Sequence, residues 1–159
     1  MNVVGECIIG APREVVWAAI NRVDLLRLSI PGCLELNEDD DGRMSAIVKL
    51  KIGVLTAKFK GFVHLEDVSA PHSYTIVGQG DGGVAGFVRG SSRVTLEQVS
   101  PSVTKLSFVA DALVGGKLAS VGGRLLDATA RKLTNQFFEN FRTALISAGS
   151  AQALDAVHP

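Results

Sequence analysis

The stretch GQGDGG, residues 78–83, has the G-x-G-x-x-G spacing that cradles pyrophosphate in dinucleotide-binding folds. That chemistry needs a strand before the glycines and a helix directly after them, whose N-terminal N–H groups hold the phosphate. The strand is present as SYTIV, but VAGFVRGSSRVTLEQV follows, alternating in polarity and carrying Gly86, Gly90, Ser91 and Ser92. This is poor helix material and reads as the return strand of a hairpin. Glu97, about where a ribose-binding acid would lie, falls on that strand. The phosphate-loop reading fails.

The remaining candidates for chemistry are few. His64 falls on the polar face of a strand, His72 in a Pro-His turn and His158 near the C-terminus, none with a partner at a recognisable spacing. Asp39, Asp40 and Asp41 read as a solvated turn, and Cys7 and Cys33 lack metal-ligand spacing. Cys33, beside Pro31-Gly32, reads as a structural cysteine rather than a reactive thiol. G-x-S-x-G, H-E-x-x-H and C-x-x-C do not occur. No catalytic residue and no metal ligand is predicted.

The elements that position these residues follow from periodicity. Residues 2–10 are β-branched-rich and read as a strand. APREVVWAAINR follows as a helix, with Pro12 at its first position and Val16, Trp17 and Ile20 on one face. Asp24 is expected to cap a second short helix that Pro31-Gly32 ends. From 33 to 114 the period is two. An acidic turn, 38–42, separates Leu34 and Leu36 from Met44, Ala46, Val48, Leu50 and Ile52. The next strand sets Leu55, Ala57, Phe59, Gly61, Val63 and Leu65 against Thr56, Lys58, Lys60, Phe62, His64 and Glu66. Three more strands complete a meander.

Over residues 117–148, Leu126, Ala130, Leu133, Phe137, Phe141, Ala144 and Ala148 recur by threes and fours, a long amphipathic helix. Gly122-Gly123 is expected to loosen its first turns or to separate a short leading helix, Gly149 to cap its end, and Asp127 and Arg131 to pair. The expectation is one α+β domain over 1–149, with 150–159 a flexible tail. An antiparallel sheet of six to seven strands buries its apolar face on the long helix, with two short helices after the first strand.

Face assignment gives the glycines another meaning. If Tyr74 and Ile76 point inward, so do Gly78 and Gly80; if Val94 and Leu96 do, so do Gly90 and Ser92. Ala57, Gly61, Ala110 and Ala112 fall on the same side as Phe59 and Phe108. Small inner side chains under a curved sheet imply an apolar cavity suited to a hydrophobic ligand.

Composition fits this reading. The 159 residues are 47% hydrophobic and 20% charged, with formal net charge zero and no basic block, so the footprint of a nucleic-acid binder is absent. The N-terminus has no basic n-region and carries Glu6 in its apolar run, unlike a signal peptide. No apolar run approaches the ~20 residues of a membrane span. A cytoplasmic protein is expected.

PREVVWAAIN, IPGC, LKIGVLTAKFKG, GQGDGGVAGFVRGSSRVTL and VGGKLASVGGRLLDATARKLTNQFFENF together resemble the CoxG family of carbon monoxide dehydrogenase subunits, over about residues 1–147. That family belongs to the START-related helix-grip (SRPBCC) superfamily. The resemblance implies a curved sheet wrapped around the C-terminal helix, with a hydrophobic tunnel between them. It implies as partners molybdenum hydroxylases of the carbon monoxide dehydrogenase type. It also implies a bound respiratory quinone such as menaquinone for electron delivery, with no covalent cofactor, and a place at the inner face of the cell membrane. Many members have a membrane-reaching C-terminal extension. The residues after 149 carry no hydrophobic anchor, so membrane contact is expected to be peripheral or through a partner.

The leading expectation is a non-catalytic carrier whose ligand is enclosed by Trp17, Leu28, Ile30, Phe59, Phe87, Leu118, Val121, Leu125 and Phe137. Leu118, Val121 and the Gly122-Gly123 hinge would form a movable mouth. Two alternatives stand beside it. A cyclase or aromatase of the same fold would need Lys58, His64 or Glu66 turned inward. A docking or assembly factor would leave the cavity incidental.

Overall fold

The computed structural model describes residues 1–157, with side chains through Gly149. His158 and the end of the expected tail lie outside the described residues. The chain runs β1 (Asn2–Ile9), α1 (Arg13–Ile20), α2 (Val23–Ser29), β2 (Cys33–Glu38), β3 (Met44–Ile52), β4 (Leu55–Ser69), β5 (Ser73–Asp81), β6 (Phe87–Ser100), β7 (Val103–Gly115) and α3 (Gly123–Val157). Short 3-10 turns, Gly83–Ala85 and Gly116–Val121, precede β6 and α3. All neighbours in the seven-stranded sheet are antiparallel, in the order β1-β7-β6-β5-β4-β3-β2. The meander pairs consecutive strands, and β1 closes the far side on β7.

The inner face follows the period-two expectation. In register, Met44, Val63, Gly78, Gly90 and Ala112 form one row across the sheet, and Ala46, Gly61, Gly80, Val88 and Val114 the next. Phe62, on the other parity, is about half exposed. The apolar stripe of α3 faces this concave surface: Phe141 is fully buried and Ala144 nearly so. Burying a side chain such as Phe141 contributes on the order of 1.5–3 kcal/mol relative to leaving it in water.

Polar contacts pin the helices to the sheet. Arg142 donates from Nε and Nη2 to the Ile8 carbonyl and from Nη2 to Cys7 Sγ at 2.8 Å, tying α3 to β1. Asn140 Nδ2 donates to the Ser29 carbonyl, and Arg27 Nη2 to that of Leu36, tying α2 to α3 and β2. Burial raises the Cys7 thiol above its ordinary pKa, with Arg142 opposing. Both cysteines are free.

Several local expectations are corrected. Asp24 does not cap α2; it lies in the first turn and forms a bidentate pair with Arg22, the N-cap residue. Leu34 does not share the inward face of Leu36, because a bulge between Cys33 and Glu35 inserts a residue and leaves Leu34 52% exposed. Gly149 is not a cap, since α3 continues to Val157. Gly122, with φ near +95°, separates the Gly116–Val121 turn from α3, as the glycine pair suggested. Asp127 and Arg131 form no ion pair among the described residues.

Candidate functional site: an apolar cavity between sheet and helix

The interior has two parts. One buried cluster, including Ile9, Val16, Leu106 and Phe141, fills the end where α1 and the later turns of α3 meet β1 and β7. A second, built on Ile52, Phe59, Ala85 and Leu118, fills the end of the sheet by the β3–β4 turn. The inner face also holds a cavity of about 500 Å³, within the ~300–1,000 Å³ range of small-molecule sites. Its walls are Leu26 and Ile30 of α2, Leu36 of β2, Met44 and Ala46 of β3, and Val63 and Leu65 of β4. The floor continues through Tyr74, Ile76, Ser92, Val94, Phe108 and Ala110, under Ala130, Leu133, Phe137 and Phe138 of α3.

Among the described residues, no side chain that lines this space is charged at neutral pH. The polar groups in the wall are Asn21, Tyr74, Ser92 and Thr134. Two are committed to backbone: Asn21 Nδ2 donates to the Trp17 carbonyl at 2.8 Å and Thr134 Oγ1 to that of Ala130 at 2.7 Å. Tyr74 is buried and packs edge-on against Trp17, with ring centroids 5.3 Å apart. Burial pushes its phenol well above the ordinary tyrosine value, so it stays a neutral hydroxyl and a potential donor. The helical side is aromatic, with Phe138 6.1 Å from Phe108 and 5.2 Å from Phe137.

Of the nine residues expected to enclose a ligand, Ile30 and Phe137 line the cavity. Trp17 stands behind Tyr74. Phe59, Leu118 and Val121 belong to the second cluster, Leu118 almost fully buried, so they close one end rather than form the wall. Leu125 reaches the β3–β4 turn, where its Cδ2 would lie 2.7 Å from a Cβ on Gly53. Phe87 lies under the Arg89 guanidinium, 4.9 Å from ring centroid to Cζ, beside Lys60, Phe62 and Gln79. Leu28 is two-thirds exposed. The lining residues not singled out, such as Leu65, Tyr74, Ser92 and Ala110, were marked by strand parity, but parity alone does not say how far along each strand the hollow lies.

The glycines act differently from one another. The Gly78-Gly83 run leads into a 3-10 turn and a strand, with Gly83 N–H bound to Asp81 Oδ1 at 2.7 Å, so it is a hairpin connection. A Cβ on Gly82 would lie 2.7 Å from the Phe59 ring, whereas one on Gly80 would meet nothing within 4 Å. A Cβ on Gly90 would collide with the Asp111 carbonyl oxygen, so that glycine permits close approach of β6 and β7. The cavity owes its volume to Ala46, Ser92, Ala110 and Ala130 more than to the glycine belt.

Comparison with known proteins agrees with this architecture. A conserved protein from Geobacillus kaustophilus superposes with a TM-score of 0.87 at 26% identity, covering 93% of this chain and 97% of that one. A START superfamily protein from Mycobacterium smegmatis gives 0.68 at 13% identity, covering 92% and 98%. The Zhui aromatase/cyclase from Streptomyces sp. R1128 gives 0.60 at 12%, covering 96% and 95%, and shares the helix-grip fold. A search of curated protein sequences finds no match. Residues 5–146 match the family described as the CoxG subunit of carbon monoxide dehydrogenase, and with most of its length matched the chain belongs to the CoxG family.

Proposed function

We propose that this protein is a non-catalytic carrier of a hydrophobic ligand, a respiratory quinone such as menaquinone. It would serve a molybdenum hydroxylase of the carbon monoxide dehydrogenase type in electron delivery or membrane association. The observation that carries the reading is the cavity wall: about 500 Å³ lined by no charged side chain among the described residues. Such a wall would desolvate an ionised ligand without compensation, and it suits a neutral lipophilic one. The Tyr74 and Ser92 hydroxyls are the groups a quinone carbonyl would meet there.

The cyclase reading required an acid or base facing this space. Strand parity turns Lys58, His64 and Glu66 to the outer face, where His64 Nε2 and Glu66 Oε1 pair at 3.0 Å. The carrier reading is tested by organic extraction of purified protein and mass spectrometry, with titration of a short-chain quinone followed by Trp17 fluorescence. A co-purifying quinone or saturable quenching is expected. Empty protein that a quinone does not quench would overturn the reading.

A further inference from the structure

The net charge of zero conceals a strong segregation. Three segments meet at the end of the molecule where α3 begins: the β3–β4 hairpin, the β5–β6 loop, and the turn leading into α3. The Gly83–Ala85 turn touches both β4 and the Gly116–Val121 turn, and Leu125 reaches Gly53. Residues 49–60 carry Lys49, Lys51, Lys58 and Lys60; residues 82–89 carry Arg89; residues 116–125 carry Lys117 and Arg124. These segments contain seven of the sixteen cations of the chain and none of its sixteen carboxylates. All seven are exposed, and none forms an ion pair among the described residues. One carboxylate, Asp81, lies among them, opposite Lys60 in register and beside Arg89, and its Oδ1 accepts from the Gly83 N–H. The run Glu38 to Asp41 lies in the β2–β3 turn, at the opposite end of β3.

At the tips of this basic end stand two aliphatic side chains. Val54, in the β3–β4 turn, is 97% exposed, and Val84, in the β5–β6 loop, is 86% exposed. Gly53 and Gly83, each immediately before its valine, have φ near +62° and +63°, a conformation that glycine takes without strain. Single exposed valines are ordinary. Two at the tips of adjacent loops, within a field of unpaired lysine and arginine, match a surface that is negatively charged outside and apolar just beneath.

We propose that this end docks on an anionic lipid bilayer, with Val54 and Val84 entering the headgroup boundary and the seven cations facing lipid phosphates. Charge complementarity selects a bilayer, and the tips favour it over an acidic protein. They are projecting aliphatic points, which suit a deformable partner, whereas the aromatic rings Phe62 and Phe87 lie back on the outer face of the sheet under Lys60 and Arg89. Docking would bring the second apolar cluster, which closes this end of the interior, next to the membrane. It would give membrane association a defined surface, and it needs no particular occupant of the cavity.

The test is co-sedimentation of the full chain with quinone-free vesicles, of phosphatidylcholine alone and with about 30% phosphatidylglycerol. Binding to the anionic vesicles only is expected, falling steeply with added salt. Each cation removed should weaken binding about five-fold, so Lys51→Glu with Lys58→Glu should lose more than about twenty-five-fold. Val54→Ser with Val84→Ser should lose several-fold with every charge unchanged, and with the melting temperature retained because both side chains are exposed. Absence of binding to anionic vesicles at low salt would overturn the proposal, as would equal binding to neutral ones. Binding that tolerates the valine substitutions and is matched by a soluble polyanion would also overturn it, in favour of an acidic macromolecule. Because the vesicles hold no quinone, failure here is readable apart from failure of the carrier reading.

Discussion

In the part of the interior next to the β3–β4 turn, the gap beside a glycine is occupied: the Phe59 ring covers Gly82. In the part under α2 and the middle of α3, small residues face one another across the sheet and nothing fills the space between them. Both parts draw on the same strands and the same inward parity. The difference lies in whether a large side chain is placed opposite each small one. Native interiors normally interdigitate to close packing. A hollow of this size beside a region that does so is therefore a property of the side chains chosen, not of the fold.

The largest expected contrast is between equivalent truncations in the two parts. Phe59→Ala should cost about 3–5 kcal/mol, since the ring is packed against Gly82 and the vacated volume has no ready filler. Leu133→Ala, on the cavity wall, should cost less, about 2 kcal/mol or under, because that side chain already borders empty space. Urea denaturation of both variants measures this. Equal losses would mean that the hollow is closed in solution.

A smaller contrast isolates the glycines. Gly82→Ala places a Cβ 2.7 Å from the Phe59 ring and should cost about 1–3 kcal/mol. Gly80→Ala, two residues away in the same run, meets nothing within 4 Å and should stay within about 0.5 kcal/mol of the parent. Thermal melts of the two would show whether the run contributes room for a ring or only a turn.

These residues also show how far the sequence was legible. Strand parity placed Phe59, Val63, Tyr74, Ser92 and Ala110 on one face, and the α3 stripe placed Phe137 and Phe141 opposite, which is enough for the fold. It could not show that Phe59 fills its neighbourhood while Ser92 does not, because that depends on which positions of different strands and helices end up at the same height. Leu34 escaped for a related reason: a bulge changes parity without altering composition. The basic end escaped as well: residues 49–60 carry four lysines and no carboxylate, but they alternate with apolar residues and form no contiguous basic block, and the other cations come from distant segments that only the fold assembles.

Filling the hollow should separate binding from stability. Ser92→Leu and Ala110→Leu, made singly, add apolar volume where space exists, so stability should change by less than about 1.5 kcal/mol. Quinone affinity should fall at least about ten-fold, as clashes within a rigid wall do. Ligand titration beside a thermal melt checks both. Undiminished affinity in both variants would mean that the ligand sits elsewhere.

The smallest effect concerns what occupies the hollow when no ligand does. Tyr74 lines the cavity and its pKa is raised by burial, so the folded state retains the phenolic proton at pH values where the unfolded chain, near pH 10, has begun to lose it. The folded protein then binds more protons than the unfolded one, and stability declines as pH rises. The contribution is fully present below about pH 10 and is lost upward from there, at about 1.4 kcal/mol per pH unit. Comparison of the parent with Tyr74→Phe in urea between about pH 8 and pH 11 removes the background of other alkaline groups. If the cavity is dry, the advantage of the parent over Tyr74→Phe should shrink as pH climbs through this window. If water fills the cavity, the phenolate is hydrated in both states and the two curves should run parallel, so the same pair of variants distinguishes an apolar hollow from a wet one.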